Sequence, residues 1–238
     1  MSDEPLIRLR AVERQRGDGF CLRIAGFDLQ AGEQIGLVGE SGSGKSTCLD
    51  LMALSLRPDK AGAMEILSGA EAADAADMWR QNRRPALSEL RARCFGYVLQ
   101  TGGLAPFLSL QENAMLSRRL LGMQGPGPIE NLAERLGIAH LMRRKPRQVS
   151  IGERQRAAVV RALAHQPAIV LADEPTASLD KSNAEEVMCL LTESARKAGA
   201  ALVVVTHDRA LADSFGLESV ECRHDAETRT STLDRQAA

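Results

Sequence analysis

Residues Gly39 to Thr47 read GESGSGKST and lie between a short apolar run, Gln34 to Gly39 (QIGLVG), and a helix-compatible stretch, Ser46 to Leu56. This is the pattern GxxxxGK[ST] set between a strand and a helix, and few features narrow the possible folds as much. The glycines Gly39, Gly42 and Gly44 let the backbone bend until successive N–H groups converge on an anion, while the following helix offers its positive end. Glu40, Ser41 and Ser43 complete the turn, and Thr47 is placed to help hold an α-phosphate. Lys45 supplies a point charge to β- and γ-phosphates, and the Ser46 hydroxyl suits a Mg2+ ion that bridges them. Without the lysine and the preceding strand, the same letters would describe a Gly/Ser turn capping an ordinary helix.

Such a strand, loop and helix unit implies further parallel strands beside it. Phe95 to Leu99 (FGYVL), Ala168 to Ala172 (AIVLA) and Ala201 to Thr206 (ALVVVT) are apolar, partly β-branched and of strand length. Between the first two of these, Leu110 to His165 is mainly helical, broken at Gly122 to Pro128 (GMQGPGP) and at Lys145 to Gln148. Leu6 to Leu29 alternates in β fashion around a turn at Arg16 to Gly19 (RGDG). Beyond Glu221 the residues are polar, with few apolar anchors, which predicts a loosely docked tail. The expected fold is therefore α/β, a P-loop NTPase with a mainly parallel core sheet, an N-terminal antiparallel β layer and an inserted α-helical lobe. One domain is expected, with a core at about 6–100 and 166–220, the lobe at about 101–165 and a polar tail at 221–238.

The run Ile169 to Pro175 (IVLADEP) ends in adjacent carboxylates. Asp173 is suited to hold Mg2+ through water, and Glu174 to polarise an attacking water. Seen alone, an acid pair at a strand end would be a solvated turn or a helix cap. Composition excludes several other classes. With 44% hydrophobic and 26% charged residues in 238, the chain has the makings of a packed core rather than a disordered segment. A formal net charge of -1, from 30 basic and 31 acidic residues, gives no polyanion-binding surface, so nucleic acid is not expected as a partner. Cys21, Cys48, Cys94, Cys189 and Cys222 are scattered with no CxxC pair, which predicts reduced thiols and no zinc site. The N-terminus (MSDEPLIRLR) lacks the apolar stretch of a secretory signal, and no run reaches the ~18 to 20 apolar residues of a spanning helix. Any membrane role is therefore expected to run through another chain.

Taken together, these segments resemble the ATP-binding cassette family from about Leu6 to about Val220. Gln100, after GYVLQ, matches the family's Q-loop glutamine, which the resemblance implies contacts Mg2+ and senses a membrane partner. Ser150 to Arg156 (SIGERQR) resembles the signature SGGQQQR. Ile151 replaces its first glycine and Glu153 a glutamine, while Ser150 and Gly152, implied to touch the γ-phosphate across a dimer, are retained. The bland alternative for this segment is a capped amphipathic helix with Arg154, Arg156 and Arg161 solvated. Ser178, Leu179 and Asp180 resemble the D-loop at the dimer seam, and His207, closing ALVVVTHD, matches the switch histidine. The aromatic residue that stacks on adenine in the family is missing at its expected place near Arg16. The base would then rest on Arg16 as a planar cation or on Phe20.

The resemblance implies an ATPase that takes ATP with Mg2+, works as a homodimer closed around two ATP molecules, and acts on integral membrane permease subunits carried by separate chains. It would be cytoplasmic, peripheral on the inner membrane through that permease. The likeness is greatest to the subgroup partnered by FtsX-like or MacB-like permeases, whose outputs are lipoprotein release, efflux or envelope signalling. The stretch Gln100 to Leu110 (QTGGLAPFLSL) resembles the partly apolar rim where the permease docks, and by composition alone it is equally suited to a buried core. Two other readings compete: a non-transport clamp, which usually carries a long coiled coil or a second cassette, and a degenerate ATP-binding switch, which would have lost Lys45, Asp173, Glu174 or His207. Import, extrusion and signalling stay open, as does the cargo.

Overall fold

Alternation of apolar and polar side chains shapes the first two strands, β1 (Ile7–Gln15) and β2 (Cys21–Leu29). Ile7, Leu9, Leu22, Ile24, Phe27 and Leu29 are wholly buried, and the strands pair antiparallel from Ile7 opposite Leu29 to Gln15 opposite Cys21. The expected turn joins them; its Asp18 lies outside the described residues. The structure is a computed structural model that describes residues 4–17, 19–69 and 71–235.

The chain continues through β3 (Gln34–Val38), α1 (Lys45–Met52), β4 (Ala63–Ser68), β5 (Glu71–Asp74), α2 (Ala75–Arg80) and α3 (Arg84–Cys94). Next come β6 (Phe95–Val98), α4 (Leu110–Leu120), α5 (Ile129–Arg135), α6 (Ile151–Leu163), β7 (Ile169–Asp173), α7 (Lys181–Ala198) and β8 (Ala201–Thr206). It ends with α8 (Arg209–Ser214), β9 (Glu218–Glu221), β10 (Arg223–Asp225) and β11 (Thr230–Arg235). Two units divide these elements, Met1–Arg91 with Val205–Ala238 and Ala92–Val204.

In the first unit a six-stranded sheet runs β10-β11-β2-β1-β4-β5. It is antiparallel except where β11 lies parallel to β2, from Thr230 opposite Cys21 to Arg235 opposite Phe27. The polar terminal stretch expected to dock loosely is thus a built strand as far as Arg235. Ser231 and Leu233 are buried from it, and Arg235 forms ion pairs with Glu33 at 2.9 Å and Glu218 at 2.8 Å. A short apolar anchor set suffices because the ladder to β2 satisfies the backbone. In the same unit β3 pairs parallel with β9, Ile35 opposite Glu218 through Val38 opposite Glu221.

In the second unit β6 and β7 pair parallel, Phe95 opposite Ile169 through Val98 opposite Ala172, and β8 follows β7 in the sheet. All three expected strands are present and buried. Helix α6 packs against β6, α4, α5 and α7. Gly96 permits the first of these contacts: a Cβ there would sit 2.2 Å from the carbonyl oxygen of Ala162. The helical stretch breaks where glycine and proline predict, and Arg118 pins the break. Its guanidinium is buried and donates to the carbonyls of Gln124, Gly125 and Ala164 at 2.9, 3.1 and 3.1 Å. The expected break at Lys145 to Gln148 holds a 3-10 turn. All five cysteines are free thiols.

Candidate nucleotide site

Strand β3 delivers the chain into the Gly39 to Thr47 loop, whose glycines adopt positive φ: 154° at Gly39, 82° at Gly42 and 88° at Gly44. Two of them also make room. A Cβ on Gly39 would lie 2.7 Å from the carbonyl oxygen of Cys222, and one on Gly44 would lie 2.7 Å from Cζ of Phe20. Helix α1 starts directly after Gly44, with no side chain capping it and no acid in its first turn. Its leading N–H groups and positive end are therefore available to an anion. Lys45, 4% exposed, folds over the loop and donates to the carbonyls of Gly39 at 2.8 Å and Glu40 at 2.6 Å. A buried ammonium held by neutral carbonyls beside an uncapped helix start has the chemistry to cradle a polyphosphate. Ser43 and Thr47 are buried, and Ser46, Glu40 and Ser41 lie at the loop's surface. His207, exposed, follows β8 and precedes α8, which Asp208 caps by accepting from the N–H of Leu211 at 2.9 Å.

The floor of this loop was not legible in advance. Cys222 donates its Sγ–H to the carbonyl of Ser43 at 3.0 Å, and its N–H donates to the carbonyl of Val38 at 2.8 Å. Burial pushes the Cys222 thiol up, countered by the Ser43 contact and the charge of Lys45. Burial likewise pushes up Cys48. Both are neutral thiols that pack as small hydrophobes.

The second unit assembles its own set. Asp173 and Glu174 stand at the end of β7, both half-buried. Glu174 has φ 42°, in the left-handed region where a non-glycine residue is strained. The backbone then turns back, the N–H of Ala177 donating to the carbonyl of Glu174 at 3.2 Å. Gln100 is exposed just beyond β6. Ser150 caps α6: its Oγ accepts from the N–H of Glu153 at 3.2 Å, while the Glu153 carboxylate accepts from the N–H of Ser150 at 2.7 Å. That backbone N–H, and then the Ser150 hydroxyl, hold Glu153 below the usual carboxylate range. Asp180 caps α7 in the same way. It accepts from the side chain of Asn183 at 2.6 Å and from its backbone N–H at 3.1 Å, and these bonds depress its pKa in that order. Gly152 faces the start of α7, where a Cβ would lie 3.6 Å from Oδ1 of Asn183. The signature-like and D-loop-like segments are therefore neighbours.

Gln155 ties this set together, and neither pattern nor spacing singled it out. It is 2% exposed, and its Nε2 donates to the carbonyl of Gln100 and to that of Pro175, both at 2.8 Å. One amide thus fixes the end of β6 and the residue after the acid pair. Two arginines treated as solvated in the bland reading of this helix are engaged instead. Arg156 pairs with Glu186 at 2.7 Å, and Arg161 donates to the carbonyls of Gly102 and Gly103. Beyond Gln100 the loop is held by Asn113, 1% exposed, whose amide bonds the backbone of Ala105, Leu108 and Ser109. Phe107 is left 73% exposed at its tip, whereas Leu110 is buried.

Oxygen donors dominate both sets. Ser46, Gln100 and Asp173 offer the hard ligands that Mg2+ prefers. Among the described residues no group of three or more His, Cys, Asp or Glu side chains could hold a metal ion unaided. Within each unit, oxygen donors of this kind suit Mg2+ rather than a soft transition metal.

The family model for ABC transporters matches residues 22–177. The chain belongs to the ABC transporter family, and within it is the ATP-binding cassette, an ATPase that takes ATP with Mg2+. The lipoprotein-releasing system ATP-binding protein LolD of Shewanella frigidimarina is 36% identical over 89% of this chain and 87% of its own length. LolD of Hydrogenovibrio crunogenus is 40% identical over 78% of each. Among solved structures, the ATP-binding cassette MJ0796, as a post-hydrolysis dimer with ADP and Pi, superposes with a TM-score of 0.71 at 29% identity. That match covers 94% of this chain and 96% of the other.

Proposed function

We propose that this chain is the ATP-hydrolysing subunit of a complex of the lipoprotein-releasing kind. Two copies would close around two ATP molecules and drive a separate FtsX- or MacB-like membrane permease. The observation that carries this reading is the buried Lys45 lying over an uncapped helix start, in a chain 36% and 40% identical to two LolD proteins over most of its length. Among the described residues no helix is long and apolar enough to cross a membrane, which accords with a peripheral subunit held at the cytoplasmic face by its permease.

The roles follow from the chemistry of each group. Lys45 and the N–H groups of Gly42 to Thr47 bind the phosphates. Glu174 orients and polarises the attacking water as a general base, and His207 holds the γ-phosphate and that water. Ser46, Gln100 and Asp173 would hold the Mg2+ that enters with ATP, which would offset the charge of the phosphates. Ser150 and Gly152 of one copy act on the γ-phosphate of the other, with Asp180 at the seam. Loss of the γ-phosphate removes the contacts that join the copies, and the pair opens. The exposed Phe107 on the loop after Gln100 is the docking point for the permease.

The test is Glu174→Gln, studied by light scattering with and without Mg2+ and ATP and by steady-state hydrolysis. The expected outcome is an ATP-dependent dimer with turnover reduced by at least about a hundredfold. Turnover at the wild-type rate would remove Glu174 as the base. A monomer that also fails to bind ATP would replace the ATP-driven dimer with a degenerate switch.

A further inference from the structure

Neither residue considered for stacking on adenine is placed to do so alone. Arg16 is exposed on a turn closed by its own N–H, which donates to the carbonyl of Phe20 at 2.8 Å. That closure carries Phe20 inward. Phe20 is only 9% exposed, with the tip of its ring on Gly44 at the start of α1. Another ring already covers it: His224 of β10 stacks on Phe20 with centroids 6.1 Å apart and planes 28° from parallel, an offset aromatic pair.

His224 itself is exposed and also oriented. Its Nδ1 is 3.0 Å from Oγ of Ser231, a residue wholly buried in β11. The β10–β11 hairpin that carries it is tied to the same turn, since the N–H of Cys21 donates to the carbonyl of Arg229 at 3.0 Å. From the phosphate cradle outward the order is therefore Gly44, Phe20, His224. A flat ring with a fixed tilt and an accessible surface stands one ring beyond the loop that would hold the phosphates, which is what a purine requires.

We propose that His224 is the residue on which the adenine of ATP stacks, with Phe20 as its support. The inference rests on reading Gly39 to Thr47 as the site of the phosphates. It assigns a nucleotide-binding role to the polar terminal hairpin, which also makes the docking of β11 on β2 a requirement for affinity. Stacking uses the face of the base and ignores its edges, so His224 contributes to guanine and adenine nucleotides alike.

The experiment titrates the full chain with ATP, GTP and inorganic tripolyphosphate in the presence of Mg2+, as wild type, His224→Ala, His224→Phe and Arg16→Ala. Loss of the ring in His224→Ala should weaken ATP and GTP about tenfold and leave tripolyphosphate within about twofold. His224→Phe should restore ATP affinity, and Arg16→Ala should bind ATP within about twofold of wild type. Unchanged ATP affinity in His224→Ala overturns the proposal, as does an equal loss of ATP and tripolyphosphate, which would make His224 a brace for the loop. So does a loss confined to Arg16→Ala. A wild-type chain that binds ATP and tripolyphosphate no better than Lys45→Ala does would instead overturn the phosphate-site reading beneath it.

Discussion

Gly44→Ala places a methyl group where the structure holds a ring. At φ 88° an L residue is in the left-handed region, a cost of about 1–2 kcal/mol. The new Cβ would lie 2.7 Å from Cζ and 3.3 Å from Cε1 of Phe20. Phe20 cannot simply retreat, because His224 stacks against it, and overpacking of this kind costs about 1–3 kcal/mol. The sum, about 2–5 kcal/mol, is a large part of a typical domain's stability but leaves the chain folded. Urea unfolding at equilibrium measures it. Phe20→Leu shortens the group that the methyl strikes, so in that background Gly44→Ala should keep the dihedral cost and lose most of the steric one. The double-mutant cycle is thus expected to show a coupling of about 1–3 kcal/mol. A single-variant cost below about 1 kcal/mol, or an additive cycle, would refute the account of why this position is glycine.

Gln155→Leu keeps the volume but leaves the carbonyls of Gln100 and Pro175 without their donor. It should lower stability by about 1–3 kcal/mol and turnover more than ATP affinity; hydrolysis at the wild-type rate would show that this tie does not position the acid pair. The Glu112 carboxylate, which caps α4, is held below its ordinary value of 4.5 chiefly by the backbone N–H of Ser109 and then by its hydroxyl. Because its folded pKa is depressed, its contribution is present above pH 4.5 and fades as the pH falls through the lower folded value. The gap in urea midpoint between wild type and Glu112→Gln should therefore narrow below pH 4.5, and a constant gap would contradict it. Ile151 is 47% exposed at the first position of α6. Restoring glycine there should leave basal hydrolysis within about threefold, and complete loss would give the isoleucine a role of its own.

Much of the fold was legible because its signals are local. The phosphate loop is one contiguous stretch whose glycines, lysine and flanking strand all sit within about a dozen residues, and the buried strands FGYVL, AIVLA and ALVVVT are continuous apolar runs. The alternation of Leu6 to Leu29 predicts an antiparallel pair for the same reason. Some elements escaped because their signals are weak. Helix α3 (RPALSELRARC) carries few apolar residues, and the terminal hairpin has only Ser231 and Leu233 as buried anchors in β11.

What the sequence by itself determined is the chemistry on offer: a phosphate cradle, an adjacent acid pair, and the order of the segments that identify the family. Tertiary structure alone decided which groups brace which. Gln155 meets Gln100 across 55 positions of chain, Cys222 meets Ser43 across 179, and the parallel ladder brings β11 back to β2, where His224 covers Phe20. Contacts at such separations leave no periodicity in the chain. They arise when a few buried polar groups must each find a partner, and only the packed fold supplies one.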